Sequence, residues 1–229
     1  MDLTWSQLQC FEVGRLDSNT QYGQRFPDQF QFDGIKVPKL DELLAYVASF
    51  ADNSIYLMLE IKSDPTQLNN DIFRRKLVTE IVQRVHAFDL VEQTLLHSFD
   101  WRILEECRSL APEFPTSFLT QINHNPADVD EDSSLAVGPN LKDVGDNIAD
   151  IILEQGGSLW CPNVQDITTD ALTRAKNLGL VTAVWTVNTL EEIDRMIEYG
   201  VDSIITDYPG RVQQRLADYG DNWERLIHA

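Results

Sequence analysis

Short apolar stretches that alternate with amphipathic segments constrain the fold of this chain more than any other feature. The apolar stretches begin near residues 55, 94, 115, 158, 181 and 201, and each is followed by a segment with helical periodicity. Strands that alternate with helices in this way predict βαβ units, in which consecutive strands run parallel. About six such units follow one another, so the sequence predicts an α/β protein with a parallel sheet.

The first of these stretches, Ile55 to Lys62, is a predicted buried strand with a charged end. Because side chains alternate along a strand, Glu60 and Lys62 are expected to share one face. In parallel α/β folds, chemistry usually takes place at the carboxyl ends of the strands. The stretch therefore predicts a carboxylate and an ammonium group side by side at that end.

The charge of the chain restricts its partners. Its 229 residues carry a formal net charge of −19, which repels nucleic acids and anionic lipid headgroups. An anionic substrate would need a local cation or a metal ion against this field. No apolar run is long enough to cross a bilayer, and the first residues lack the pattern of a signal peptide. We therefore expect neither nucleic-acid binding nor membrane insertion.

The cysteines bear on the redox compartment. Cys10, Cys107 and Cys161 are odd in number and scattered, without the spacing of metal ligands. This pattern favours reduced structural thiols, and with them the cytoplasm. An export signal in a preceding segment would instead indicate the periplasm, so the localisation stays open.

Several short motifs occur in a fixed order along nearly the whole chain. They are Asp2-Leu3-Thr4, Glu12-Val13-Gly14-Arg15, Val37-Pro38-Lys39-Leu40-Asp41-Glu42-Leu43, Leu59-Glu60-Ile61-Lys62, His97-Ser98-Phe99-Asp100, Trp185-Thr186-Val187-Asn188, and the run from Gly200 to Pro209. Together they resemble the glycerophosphodiester phosphodiesterase family. The resemblance implies a TIM (β/α)8 barrel that hydrolyses glycerophosphodiesters to glycerol 3-phosphate and an alcohol, helped by a divalent cation, Mg²⁺ or Ca²⁺.

Part of the family pattern is missing. The family opens with a His-Arg-Gly motif, a Glu-x-Asp pair and a His-Asp dipeptide, which supply the acid/base histidines and most metal ligands. None of the four histidines here is followed by Arg or Asp, and the single Glu-x-Asp, Glu192-Ile193-Asp194, lies in a predicted helix. We therefore expect residues 1–229 to form a single partial barrel domain that lacks roughly the first two βα units. The count of six units against eight agrees with this expectation.

The resemblance assigns roles to a few residues. It implies that Glu60 is a metal ligand, that Lys62 contacts the substrate phosphate, and that Trp185 and Phe99 bind the substrate. A simple ion pair between Glu60 and Lys62, and plain packing of the two aromatic rings, are the alternatives. Among the histidines, His97 is the candidate catalytic residue, because it ends a predicted strand and imidazole titrates near neutral pH. Its alternative role is that of a hydrogen-bonded core histidine.

These observations predict a metal-dependent phosphoric diester hydrolase that, as this chain alone, is weakly active or inactive. One carboxylate does not hold a hard divalent cation firmly, so the cation is not expected to bind to this chain alone. The alternative is a degenerate barrel that serves as a non-catalytic binding or interaction module. Because a partial barrel leaves two open sheet edges, self-association or completion by a separate chain is a further expectation.

Overall fold

The computed structural model describes residues 3–50, 55–63, 70–122 and 147–220 of the chain. These residues belong to two compact units, Met1–Ile55 and Tyr56–Ala229. The single domain expected over residues 1–229 stays a prediction. In the described part of the chain, no helix combines the length and the apolar composition that crossing a bilayer would require.

The first unit contains three helices among its described residues: α1 (Trp5–Leu8), α2 (Gln21–Arg25) and α3 (Leu40–Ala48). The spacing of Leu40, Leu43, Leu44 and Val47 predicts an amphipathic helix. Helix α3 confirms this prediction and buries Leu44 and Val47. The sequence around Tyr22-Gly23 and Phe26-Pro27 predicts an ordered loop without helix, and this prediction is wrong: α2 forms there, and Thr20 caps it by accepting a hydrogen bond from the amide of Gly23. A helix this short shows no periodicity that a sequence pattern could detect.

The second unit alternates strands and helices. Its strands are β1 (Leu57–Glu60), β2 (Thr94–Ser98), β3 (Thr116–Thr120), β4 (Leu159–Pro162), β5 (Val181–Val184) and β6 (Ser203–Ile204). Its helices are α4 (Asp71–Ala87), α5 (Trp101–Leu110), α6 (Ile148–Glu154), α7 (Thr169–Asn177), α8 (Leu190–Tyr199) and α9 (Pro209–Asp218). The acidic composition of residues 121–137 predicts a solvated loop, and a helix is predicted over roughly 141–154. The loop and the start of that helix lie largely outside the described residues.

The order of the strands in the sheet is their order in the sequence. All neighbouring strands from β1 to β6 are parallel, in the order β1-β2-β3-β4-β5-β6. Every crossover therefore advances in the same direction, and right-handed crossovers place their helices on one face of the sheet. A doubly wound sheet would instead reverse direction at a switch point. The six-stranded arrangement is a partial TIM barrel and confirms the predicted fold class.

Large side chains on the outer face of the sheet fix which residues point inward. Phe118 and Trp160 pack against Trp101 and Leu104 of α5, and the rings of Trp101 and Phe118 meet edge to face at 5.0 Å. Because side chains alternate along a strand, the neighbours of Phe118 and Trp160 face the opposite, inner side. A second cluster on that side contains Leu119, Cys161 and Ala183.

Candidate active site

The inner face of the sheet carries Glu60 at the end of β1. In the register of the parallel ladder, Glu60 pairs with His97 and His97 pairs with Ser117, so these side chains form one row. The pKa of the Cys161 thiol agrees with this placement. Burial raises that pKa to about 12, the nearby Ser117 hydroxyl opposes the rise, and the negative charge of Glu60 adds to it. Glu60 thus acts electrostatically on the inner face of the barrel.

Glu60 and Lys62 lie side by side, as the alternation of the strand predicts. The Nζ of Lys62 lies 3.4 Å from Oε1 of Glu60, and the two side chains are 53% and 31% exposed. A half-exposed ion pair of this kind contributes roughly 0–1 kcal/mol to stability. The Lys62 ammonium can therefore turn to another anion at little cost, which is the property that a phosphate-binding site requires.

His97 is a neutral histidine in a buried position. Its side chain is 7% exposed, and its Nδ1 atom has no hydrogen-bond partner. Burial, and then the positive charge of Lys62, lower the pKa of His97 to about 4. At neutral pH the ring therefore carries no charge, and its buried Nδ1 has no hydrogen-bond partner among the described residues. The structure brings this ring next to Glu60 in the row described above.

Phe99 and Trp185 meet although they lie far apart in the sequence. Their rings contact edge to face at 5.4 Å, and both pack against the inner cluster around Cys161. The indole Nε1 of Trp185 donates a hydrogen bond of 2.9 Å to the carbonyl of Cys161. This bond holds the indole at the end of β5, where it forms an apolar wall together with Phe99. The arrangement is compatible with contact to a ligand carbon chain and with packing alone.

A cleft at the ends of β1 and β2 gathers most of the predicted site residues. It is lined by Glu60, Ile61, Lys62, Ser63, Ser98, Phe99 and Asp100. An aspartate before an amphipathic segment predicts a helix cap, and Asp100 does cap α5 by accepting a hydrogen bond from the amide of Arg102. Its place in the cleft, and that of Ser63, were not foreseen. A polar residue two or three positions after the end of each of two neighbouring strands was the signal that could have revealed them.

The residues described do not fit a divalent cation. Among them, no three His, Cys, Asp or Glu side chains come together as metal ligands. The two carboxylates of the cleft already have cationic partners, because Glu60 pairs with Lys62 and Asp100 with Arg74. Mg²⁺ takes six oxygen ligands and Ca²⁺ takes six to eight, part of them from water and substrate. Of the two carboxylates that line the cleft, Asp100 is buried against Arg74, so only Glu60 is exposed enough to contribute, and a single carboxylate falls short of such a set.

A family assignment follows from comparison of the whole chain with known proteins. The model of the Glycerophosphoryl diester phosphodiesterase family matches residues 1–211. The chain belongs to this family, whose members are phosphodiesterases. A glycerophosphodiester phosphodiesterase of Caldanaerobacter subterraneus is 22% identical over 198 residues, which make up 86% of this chain and 67% of that protein. This chain thus spans about two thirds of the length of that curated relative.

Solved structures agree with this assignment. A Silicibacter pomeroyi protein named as a glycerophosphoryl diester phosphodiesterase is 40% identical, with a TM-score of 0.84, over 97% of this chain and 70% of its own. A phosphodiesterase of Oleispira antarctica, solved in complex with the product sn-glycerol-3-phosphate, has a TM-score of 0.59 over 85% of this chain and 65% of its own. At 14% identity, the second structure supports the fold alone.

Proposed function

We propose that this chain binds the phosphate group of a glycerophosphodiester at the Glu60–Lys62 cleft and serves its hydrolysis to glycerol 3-phosphate and an alcohol. The observation that carries the proposal is the ion pair of Glu60 and Lys62 at the carboxyl end of a barrel strand, in a chain that belongs to this family. The Oleispira antarctica phosphodiesterase, which shares the fold, was solved with sn-glycerol-3-phosphate, so we choose this compound as the ligand to test.

Under this proposal, one side chain at the cleft binds the ligand by its charge, and two others bind it by apolar contact. Hydrolysis of a phosphodiester requires neutralisation of charge at the phosphate and transfer of a proton to the leaving oxygen. Lys62 supplies a positive charge that turns from Glu60 to the phosphate. Phe99 and Trp185 form a wall for the carbon chain of the glycerol.

We propose for His97 the role of a neutral hydrogen-bonding partner. Its pKa near 4 means that it does not carry a transferable proton as an imidazolium at neutral pH. Its buried Nδ1 can instead accept a hydrogen bond from an internal water molecule beside Glu60. Proton delivery to the leaving oxygen thus has no strong donor among the residues described, which is why we propose low activity for the chain alone.

Binding of a divalent cation at the same cleft is a separate question. A divalent cation, when bound, polarises a phosphoryl oxygen and offsets its charge. Among the described residues, Glu60 is the one that would contribute to holding it, and a single carboxylate does not fit the cation. We therefore propose that Mg²⁺ and Ca²⁺ bind to this chain weakly, and that the phosphate is held chiefly by Lys62.

Calorimetric titration with glycerol 3-phosphate tests the binding site. We expect Lys62→Ala to weaken binding by about tenfold or more, since a hydrogen-bonded charge contributes on the order of 1.5–3 kcal/mol. Lys62→Arg is expected to retain part of the affinity, and Lys176→Ala, which changes an exposed lysine of α7, is the matched control. Equal affinities for the Lys62→Ala variant and the unmutated chain would contradict the proposal.

The rate of glycerophosphocholine hydrolysis, measured in Mg²⁺, in Ca²⁺ and in EDTA, tests the proposed low activity and the role of Glu60. We expect a low rate at most, and its loss in Glu60→Ala. A high rate that survives purification and does not depend on Glu60 would show that the chemistry takes place elsewhere.

A second candidate function is an interaction module that uses the edges of the sheet. In the described part of the chain, β1 and β6 each have one strand neighbour, so each leaves one edge of backbone groups unpaired by a strand. Unpaired edges of this kind are templates for pairing with another chain. Under this proposal the chain self-associates, and native mass spectrometry would show dimers or larger species. A stable monomer at high protein concentration would argue against it.

A further inference from the structure

The chain segment that carries Lys62 is held by the segment that follows β2. The amide of Ile61 donates to the carbonyl of His97 at 2.8 Å, and the hydroxyl of Ser98 donates to the carbonyl of Ile61 at 2.6 Å. Two residues further along, the hydroxyl of Ser63 donates to Oδ2 of Asp100 at 2.5 Å. Lys62 therefore lies between two fixed residues, so its backbone has little freedom to move.

Asp100 is itself fixed from several sides. Its side chain is 1% exposed, and its Oδ2 atom also accepts a hydrogen bond of 2.8 Å from Nε of Arg74, whose side chain is 3% exposed. Its Oδ1 atom accepts from the amide of Arg102 at 3.1 Å, and its own amide donates to the hydroxyl of Ser98 at 3.0 Å. A buried carboxylate with a guanidinium partner and this many hydrogen bonds is a rigid anchor.

Capping of α5 does not explain these contacts. A helix cap needs one side-chain oxygen, and Ser, Thr or Asn would provide it as well as Asp. Asp100 uses Oδ1 for the cap and Oδ2 for Ser63 and Arg74. The second oxygen and the negative charge therefore act on the segment that follows β1, next to the Glu60–Lys62 pair. Asp100 and Ser63 line the same cleft as that pair, whereas Arg74 does not.

We propose that Asp100 is a positioning residue, which holds the Lys62 ammonium at the cleft through the hydroxyl of Ser63. The buried guanidinium of Arg74 orients the Asp100 carboxylate for this contact. The proposal rests on the proposed function in one respect, namely that Lys62 binds the phosphate. In the folded chain, Asp100 acts on the ligand only through Lys62 and does not touch it.

Two test variants, Ser63→Ala and Asp100→Asn, each with a control, separate this role from capping and from general stability. Ser63→Ala removes the hydroxyl from a half-buried residue outside any helix or strand, whereas Ser63→Thr keeps it. Asp100→Asn keeps a capping oxygen but removes the charge that faces Arg74. Asp194→Asn is the matched control, because it makes the same charge change and breaks a two-fold hydrogen-bonded pair with Arg215, between α8 and α9.

The first measurement is calorimetric titration with glycerol 3-phosphate. We expect Ser63→Ala and Asp100→Asn each to weaken binding about fivefold to tenfold, as the loss of a hydrogen bond to a charged group predicts. Ser63→Thr and Asp194→Asn are expected to bind like the unmutated chain. The double variant of Ser63→Ala and Asp100→Asn should be no weaker than the Asp100→Asn variant, because the two residues act through one contact.

The second measurement is amide hydrogen exchange, which needs no ligand. We expect the Ile61 amide to exchange about tenfold faster in Ser63→Ala and in Asp100→Asn. In Ser63→Ala, the exchange rate of the Ile205 amide, at the opposite edge of the sheet, should not change. An unchanged Ile61 rate in both variants would overturn the proposal, as would faster exchange with unchanged affinity. If the unmutated chain does not bind glycerol 3-phosphate, the proposed function fails, and the Ile61 rate alone then decides the positioning role.

Discussion

At the scale of single residues, His97 makes the folding stability depend on pH. Its pKa is about 4 in the folded chain, and near 6.5 in the unfolded chain. Between these values only the unfolded chain binds the proton, so the free energy of unfolding decreases as the pH falls from 6.5 towards 4. For this residue alone, the decrease from pH 7 to pH 5 amounts to about 2 kcal/mol. Urea unfolding of the unmutated chain and of His97→Gln at both pH values measures it.

The His97→Gln variant is expected to lose this part of the pH dependence, whatever its stability at pH 7. His86→Gln provides the control, because His86 is exposed on α4 and contacts Glu113 at the surface. This variant should retain the decrease of about 2 kcal/mol that His97 causes between pH 7 and pH 5. If the unmutated chain and His97→Gln lost equal free energy between the two pH values, the neutral state of His97 would be contradicted.

At the scale of helices and strands, the end of α8 depends on a left-handed residue. Gly200 follows the helix with φ 66° and ψ 44°, and an added Cβ would meet nothing within 4 Å. The strain of Gly200→Ala therefore comes from the backbone alone, and we expect a loss of about 1 kcal/mol. Gly210→Ala is the matched control in α9, with equal space and no positive φ. Chemical denaturation should show unchanged or raised stability for the control, and equal effects at both positions would contradict the geometry.

At the scale of the whole molecule, the thiols report on packing. Cys107 on α5 and Cys161 on β4 are fully buried, and burial raises the pKa of each to about 12, whereas Cys10 is exposed. We expect one thiol of the native chain to react quickly with Ellman's reagent, and the other two only upon unfolding. Denaturant provides the control in which all three react. Fast reaction of Cys161 without Cys107 would mean that the inner face of the sheet opens while the helical side stays packed.

For the whole molecule, the pattern of apolar and polar residues predicts some features of the fold and not others. The alternation of strands and helices predicted the order of the elements, because periodicity is a local property. Strand ends were less accurate: the stretch predicted from 201 to 206 contains a strand of only two residues, Ser203–Ile204. The extent of a strand depends on a hydrogen-bonding neighbour, and the sequence does not state where that neighbour ends.

In the candidate site, too, contacts within one strand were predictable from the sequence, and contacts between distant segments were not. The pair of Glu60 and Lys62 was predictable from alternation within one strand, since the two residues are two positions apart. The contacts of Asp100 with Ser63 and Arg74 span 37 and 26 residues. No pattern within a segment encodes such contacts, because they arise when β1, β2 and α4 come together.

By itself, the sequence determined the order of strands and helices, the parallel sense of the sheet and a charged end on the first strand. Those properties follow from the local spacing of apolar and polar residues. Tertiary structure alone decided that His97 is neutral and that Phe99 meets Trp185. A pKa depends on how completely water is excluded, and a contact between distant residues depends on the path of the whole chain.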